Sequence, residues 1–267
     1  MADTKSALFQ NLLRLADDHL ILGHRLSEWC GHAPMLEEDL AMPNIALDLI
    51  GQARSLYTYA GEVEGKCRDE DQLAYLRLER EYQNLLICER PNGDFAHTML
   101  RQLFFACFME VYWQDVLTSS DETLRGIAGK AIKETAYHIR HSGEWVIRLG
   151  DGTEESARRT QEALEELTPY LPEFFESNEV TQALAKTNIL PDPANLQQKW
   201  LDRIAPIFAE ALLTVPELSP AQTGGRKGQH TEDMGFLLTD LQYLQRTYPG
   251  LSWYCLLYTS PSPRDRG

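Results

Sequence analysis

Phe95 to Thr118 reads FAHTMLRQLFFACFMEVYWQDVLT. Its central run, LRQLFFACFMEVYWQDVL, is apolar on nearly every side, which predicts a long helix enclosed by other elements rather than lying on a surface. Such a helix needs long neighbours, and the sequence supplies them on both sides. Asp121 to Leu149 predicts a second long helix, with Ser120 or Asp121 as its cap. Upstream, Phe9, Leu12, Leu13, Leu15, Leu20, Leu22 and Leu26 recur at helical spacing between Ala7 and Cys30, ending at the Gly31–Pro34 turn. Another helix is expected to begin at Pro43, a residue tolerated at a first helical position, and to carry Ile45, Leu49, Gln52 and Leu56 on one face. Shorter helices are expected over Gln72–Asn84, Glu154–Ser177 (broken by Pro169 and Pro172), Leu196–Val215 and Thr231–Thr247. CERPNGDF and PELSPAQTGGRKGQ read as loops. No stretch alternates like a strand. The pattern predicts an all-α, antiparallel, ferritin-like bundle with peripheral helices, forming a single domain over residues 1–254.

Composition narrows what such a bundle can do. With 267 residues, 43% hydrophobic, the chain can fill a sizeable core. A formal charge of −15 and a pI of about 4.9 argue against nucleic acid and anionic membrane surfaces, which select basic patches. No run approaches the about 18 to 20 apolar residues of a membrane span. The opening MADTKSALFQ shows no signal core. Cys30, Cys67, Cys88, Cys107 and Cys255 are scattered and never spaced C-x-x-C, which suits a reduced cytoplasm and offers no zinc site.

Long helical bundles can hold carboxylate-bridged di-iron centres, built from a Glu on each of two helices and an E-x-x-H pair on each of the others. The string KETAYHIRH, Lys133 to His141, resembles half of such a site. The position three before His138 is Thr135, however, while Glu134 lies four before it, and His141 has His138 where a carboxylate is required. On the Pro43 helix, Asp48 is followed three residues later by Gly51. Glu110 and the Asp17–Asp18 doublet supply further carboxylates. The candidate remnant positions are therefore Asp17, Asp48, Gly51, Glu110, Glu134, Thr135 and His138, with neither E-x-x-H intact. Metal ligation by Glu134 and His138 competes with an ordinary helical pair, and the second reading is preferred. It expects no bound metal, and a salt-bridged network of Asp17, Asp48 and Glu134 with Arg54 or Lys133.

Taken together, RLSEWCGHAPMLEEDLAMPNIALDLIGQARSLYTYAGE, ERPNGDFAHTMLRQ, AIKETAYHIRHSGEWVIRLGDGT and TGGRKGQHTEDMGFLLTDLQYLQRTYPG closely resemble the C subunits of ring 1,2-phenylacetyl-CoA epoxidases, from Leu8 to Trp253. The resemblance implies a part in a multicomponent bacterial monooxygenase of aerobic phenylacetate breakdown. In that family the A subunit holds the di-iron centre and epoxidises the ring of the CoA thioester. The C subunit is a ferritin-like relative without metal ligands that acts as its structural partner. Small and reductase components supply NADPH-derived electrons, so no cofactor is assigned to this chain. The alternatives are a di-iron oxygenase or ferritin-like oxidase in its own right, and a helical adaptor unrelated to oxygen chemistry.

The resemblance also marks Glu81, Tyr82, Gln83 and Asn84, with Gln182, Ala183 and Leu184, as acyl-CoA contacts; by themselves they read as a polar helix end and a buried turn. The glycine-rich loop Gly224, Gly225, Arg226, Lys227 and Gly228 lacks Walker A spacing, yet leads into a helix N-terminus. It reads either as a contact for CoA phosphates or an acidic partner segment, or as a flexible loop docked on the catalytic subunit. Leu103, Phe104, Phe108 and Tyr112 are expected to exceed what one thin bundle can bury and to form an interface with the catalytic relative. The end of the chain departs from all this. CLLYTSPSPRD can be back-translated into a transposon-end sequencing adapter, so Cys255 to Gly267 is read as a non-native tail.

Overall fold

The computed structural model describes residues 4–219 and 221–251. In chain order its helices are α1 (Thr4–Ser27), α2 (Leu36–Glu64), α3 (Glu70–Tyr75), α4 (Leu86–Glu89), α5 (Phe95–Val116), α6 (Glu122–Gly150), α7 (Glu154–Leu167), α8 (Glu179–Lys186), α9 (Gln197–Glu210) and α10 (Glu232–Thr247). The described residues contain no strand. Among them, no helix is long and apolar enough to cross a membrane. Of the cysteines, Cys30, Cys67, Cys88 and Cys107 are free thiols, the last two buried. The proposed tail, Cys255–Gly267, lies outside the described residues.

α1, α2, α5 and α6 form the bundle. α1 and α2 run antiparallel, with Asp17 opposite Tyr57 and Gly23 opposite Ala46 and Ile50. α2 and α6 are also antiparallel, paired through Glu38–His141, Gln52–Glu134 and Tyr59–Asp121. α5 starts where Asp94 accepts a hydrogen bond from the His97 amide at 2.9 Å. Asp121 caps α6 in the same way through the Leu124 amide, as the sequence predicts.

The all-round apolarity of α5 is absorbed within the chain. Leu103, Phe104, Phe108 and Tyr112, expected at an interface, are between 0% and 2% exposed. Phe108 stacks on Phe174 at 5.0 Å, and Phe104 packs against Trp200, whose indole N–H donates to the Phe104 carbonyl at 3.0 Å. The peripheral helices, not a partner, cover this face. α9 comes so close that a Cβ on Gly150 would lie 2.2 Å from the Ala211 carbonyl oxygen.

Two boundaries differ from expectation. α2 begins seven residues before Pro43, which sits inside it. Glu37, Glu38 and Asp39 favour the positive end of the helix, Met42 is fully buried, and Glu38 pairs with His141 at 2.7 Å. These contacts hold the extra turns despite the missing Pro43 N–H. In place of the predicted Gln72–Asn84 helix stands only α3, opened by an Asp69 capping box and followed by a short 3-10 turn at Glu79–Glu81.

Candidate functional site

At mid-height in the bundle, α2 turns Leu49 and Gln52 inward, and α6 turns Thr135 and His138 inward, each pair three residues apart and 1–3% exposed. This is the register in which two E-x-x-H motifs would face each other. Leu and Thr occupy the carboxylate positions. His138 Nε2 lies 3.1 Å from Asp48 Oδ2, and the Gln52 amide donates to Glu134 Oε2 at 2.9 Å. Gly51 is one residue out of this register, and a Cβ placed on it would meet nothing within 4 Å. The inward position on α2 is therefore Gln52.

α1 contributes His19, which is fully buried. Its Nδ1–H donates to the Leu15 carbonyl at 2.7 Å, and its ring meets Phe105 edge-on at 5.2 Å. Burial drives its pKa down to about 4, against the hydrogen bond to Leu15 and the nearby Gln52. Such a layer does not fit a di-iron centre, because bridging carboxylates are missing and the imidazole of His138 is engaged. Among the described residues, no group of three or more His, Cys, Asp or Glu side chains is placed to hold a metal ion.

The expected salt-bridge network does not form. Glu134 meets Lys130 at 3.5 Å, Arg54 pairs with Glu70 at 3.2 Å, and Lys133 is exposed. Glu110 faces away toward α9, where the Arg203 Nε–H donates to it at 2.6 Å. Asp17 belongs to a second polar region on the other side of α1.

That region is a clamp of four carboxylates, Asp17, Asp18, Glu89 and Glu173, each no more than 1% exposed. Asp17 accepts from Arg77, Tyr57 and the Gln83 amide. Asp18 accepts from the Leu85 amide at 2.7 Å and from both Arg226 terminal nitrogens at 3.0 and 2.8 Å. Glu89 accepts from Asn84 at 2.9 Å and from the Thr231 amide at 2.6 Å, and pairs with His230 at 2.7 Å. Glu173 accepts from the amides of Leu86, Gly224 and Gly225 at 2.7, 2.9 and 2.8 Å. Burial raises the pKa of Asp18 and of Glu173 to about 6, in each case against their donors. Burial works against the His230 imidazolium, but Glu89 holds its pKa above the usual value.

The glycine-rich loop is thus an anion site whose anion is the chain's own Glu173. Its Arg226 donates to Asp18, so within this chain the guanidinium already has an anionic partner. The glycines are needed sterically. A Cβ on Gly225 would lie 2.0 Å from the Asn84 carbonyl oxygen, and one on Gly228, at φ +69°, 2.2 Å from that of Arg80. Lys227 continues the loop's 3-10 turn.

The other candidates divide between interior and surface. Tyr82 is fully buried, donating to the Ala74 carbonyl, accepting from Gln242 at 2.8 Å and lying under the Arg77 guanidinium. Asn84 and Leu184 are also fully buried. Glu81 and Gln182 are exposed and Ala183 is half-buried. Gln83 borders a cleft of about 470 Å³ with Lys5, Phe9 and Lys66. Arg14 donates to both Gln83 and Asn178, joining the first candidate segment to the N-cap of α8, the helix that carries the second.

Residues 1–253 match the family described as phenylacetic acid catabolic protein. This chain belongs to that family. It is also 46% identical over 241 residues to the C subunit of the 1,2-phenylacetyl-CoA epoxidase of Escherichia coli (strain K12), covering 90% of this chain and 97% of that protein.

Sequence reasoning missed His19 in the layer, put Gln52 on the apolar face of its helix without assigning it to the site, and missed Arg77, Glu89, Glu173 and His230 in the clamp. The acidic doublet Asp17–Asp18 in a largely apolar helix was the available signal, since two buried carboxylates demand donors from elsewhere in the chain.

Proposed function

We propose that this chain is the non-catalytic, structural subunit of a cytoplasmic 1,2-phenylacetyl-CoA epoxidase. It packs with a catalytic subunit that bears the di-iron centre and holds no metal of its own. NADPH-derived electrons pass through a reductase component, and the complex includes a further small subunit. The observation that carries this reading is the inward pair on each of α2 and α6, Leu49 with Gln52 and Thr135 with His138, where metal chemistry needs carboxylate and imidazole. The name of the Escherichia coli relative supports the epoxidase assignment. Glu81, Gln83 and Gln182 are the candidates still reachable by an acyl-CoA.

Co-expression with a catalytic subunit of this epoxidase class, followed by iron analysis of each separated chain, tests the reading. Iron is expected in the catalytic chain alone, and epoxidation of phenylacetyl-CoA is expected to require both. Stoichiometric iron in this chain would overturn the proposal. So would full epoxidation by the catalytic subunit and reductase without it.

A further inference from the structure

His230 lies between the glycine-rich loop and α10, with 0% of its side chain exposed. Both ring nitrogens face acceptors. Nε2 lies 3.0 Å from the Tyr82 carbonyl oxygen, which only accepts, so Nε2 carries a proton. Nδ1 lies 2.7 Å from Glu89 Oε2, and the proton between them stays with the stronger base. Three further donors decide which that is. Glu89 Oε1 accepts from the Thr231 amide at 2.6 Å and the Thr231 hydroxyl at 2.9 Å, and Oε2 accepts from Asn84 at 2.9 Å. These bonds stabilise the carboxylate, and an imidazole is already the stronger base by about two pH units. The ring is therefore an imidazolium that donates from both nitrogens, to Glu89 of α4 and to the Tyr82 backbone.

We propose that His230 is a proton-operated latch, fastening the start of α10 to α4 and to the Tyr82 backbone while charged and releasing it when neutral. Removing one proton leaves a single N–H for two acceptors. A lone pair then faces either Glu89 or the Tyr82 carbonyl in a fully buried position. The charges around the ring favour the closed form. Glu89 of α4 acts directly, and Asp17 of α1 acts through space although it is paired with Arg77. Arg25 of α1 donates to the Glu89 backbone carbonyl, Arg226 is held by Asp18, and Arg90 by Asp233 of α10. These cations leave the Glu89 carboxylate to His230. Glu173 faces the amides of Gly224 and Gly225 instead, so release is local to the Thr231 side of the loop. The sign follows from a folded pKa above 6.5. The latch is fully closed below pH 6.5 and is lost as the pH rises through the folded value. This reading does not depend on the epoxidase assignment.

Nitrogen NMR of the full chain labelled with ¹⁵N-histidine, with the His230 signals assigned by their loss in His230→Gln, tests the latch from neutral to alkaline pH. Both nitrogens are expected to be protonated at neutral pH and to titrate with a midpoint above 6.5. An unprotonated Nδ1 at neutral pH would place the proton on Glu89 or remove it, and would overturn the proposal. Backbone hydrogen exchange in the wild type is a second measurement that needs no variant. Relative to its intrinsic rate, the Thr231 amide is expected to lose protection with the same midpoint, by about tenfold for every pH unit by which that midpoint exceeds 6.5. Gly224 and Gly225 are expected to change less. Constant protection of Thr231 through the titration of His230 would show that the ring holds nothing closed. An equal loss at all three amides would show that the release is not local. Either result would overturn the latch.

Discussion

The bundle layer and the carboxylate clamp flank the same turn of α1, and they answer burial in opposite ways. In the clamp, four carboxylates meet two arginines, a histidine and six backbone amides, so every charge brought out of water has a short-range partner. In the layer, His19 Nε2 and Gln52 Oε1 have no hydrogen-bond partner among the described residues. The clamp ties α1 to segments more than 200 residues away and acts as a structural joint.

The comparison is broken most severely at Asp17. Replacing Asp17 with Ala leaves Arg77 buried beside Tyr57 and Tyr82 without its carboxylate, and is expected to cost about 3–5 kcal/mol in urea unfolding. A loss below about 1 kcal/mol would show that the clamp is not the joint described here.

Acid separates the regions next. His19 has a folded pKa near 4 against an ordinary 6.5, so the unfolded chain binds more protons between these values. Its contribution is complete above pH 6.5 and is lost as the pH falls toward 4. Asp18 and Glu173 have the opposite sign. With folded pKa values of about 6 against 3.8 and 4.5, they contribute most below pH 4 and lose that contribution as pH rises through 6. His19→Phe should therefore narrow its stability difference from the wild type by about 2–3 kcal/mol between pH 6.5 and 4, measured from urea midpoints. A pH-independent difference would remove the layer from the acid response.

Glu173→Gln tests the loop more gently, since one amide oxygen still accepts while an NH₂ group now faces backbone donors. A loss of about 2 kcal/mol is expected, with faster hydrogen exchange at Gly224 and Gly225 than elsewhere. Uniform acceleration over the whole chain would instead indicate a global effect.

The smallest effect is expected at Gly51→His. Its Cβ enters open space, and replacing a helical glycine should offset any surface cost, leaving stability within about 1 kcal/mol of wild type. At Leu49, in the inward register, Leu49→Glu should cost about 3 kcal/mol or more by placing an unpaired carboxylate in the core. Equal losses at the two positions would refute the register.

The long helices were legible because their information is local. Apolar spacing, the Asp121 cap and the enclosed character of Phe95–Thr118 can all be read within one helix. The start of α2 was not, because Pro43 argues locally for a first turn while Met42 and the Glu38–His141 pair act across the bundle. The absence of an intact E-x-x-H was visible in the residues themselves, and apolar spacing already put Leu49 and Gln52 on one face; that this register, and not that of Asp48 and Gly51, points into the bundle required the packing of α2 on α6.

Asp17, Asp18 and His19 show where sequence ends and tertiary structure begins. The sequence by itself determined that α1 is a helix and that three polar side chains lie within it. A helix turns each successive residue by about 100°, so the three point to Arg77, to Arg226 and to the bundle layer. Their partners lie 60 and 208 residues away for the two aspartates, and on α5 for His19. The same holds for the glycine-rich loop, whose amides and arginine announced an anion. Only the folded chain decided that the anion is Glu173, because burial of a carboxylate is stabilised by donors brought together in space.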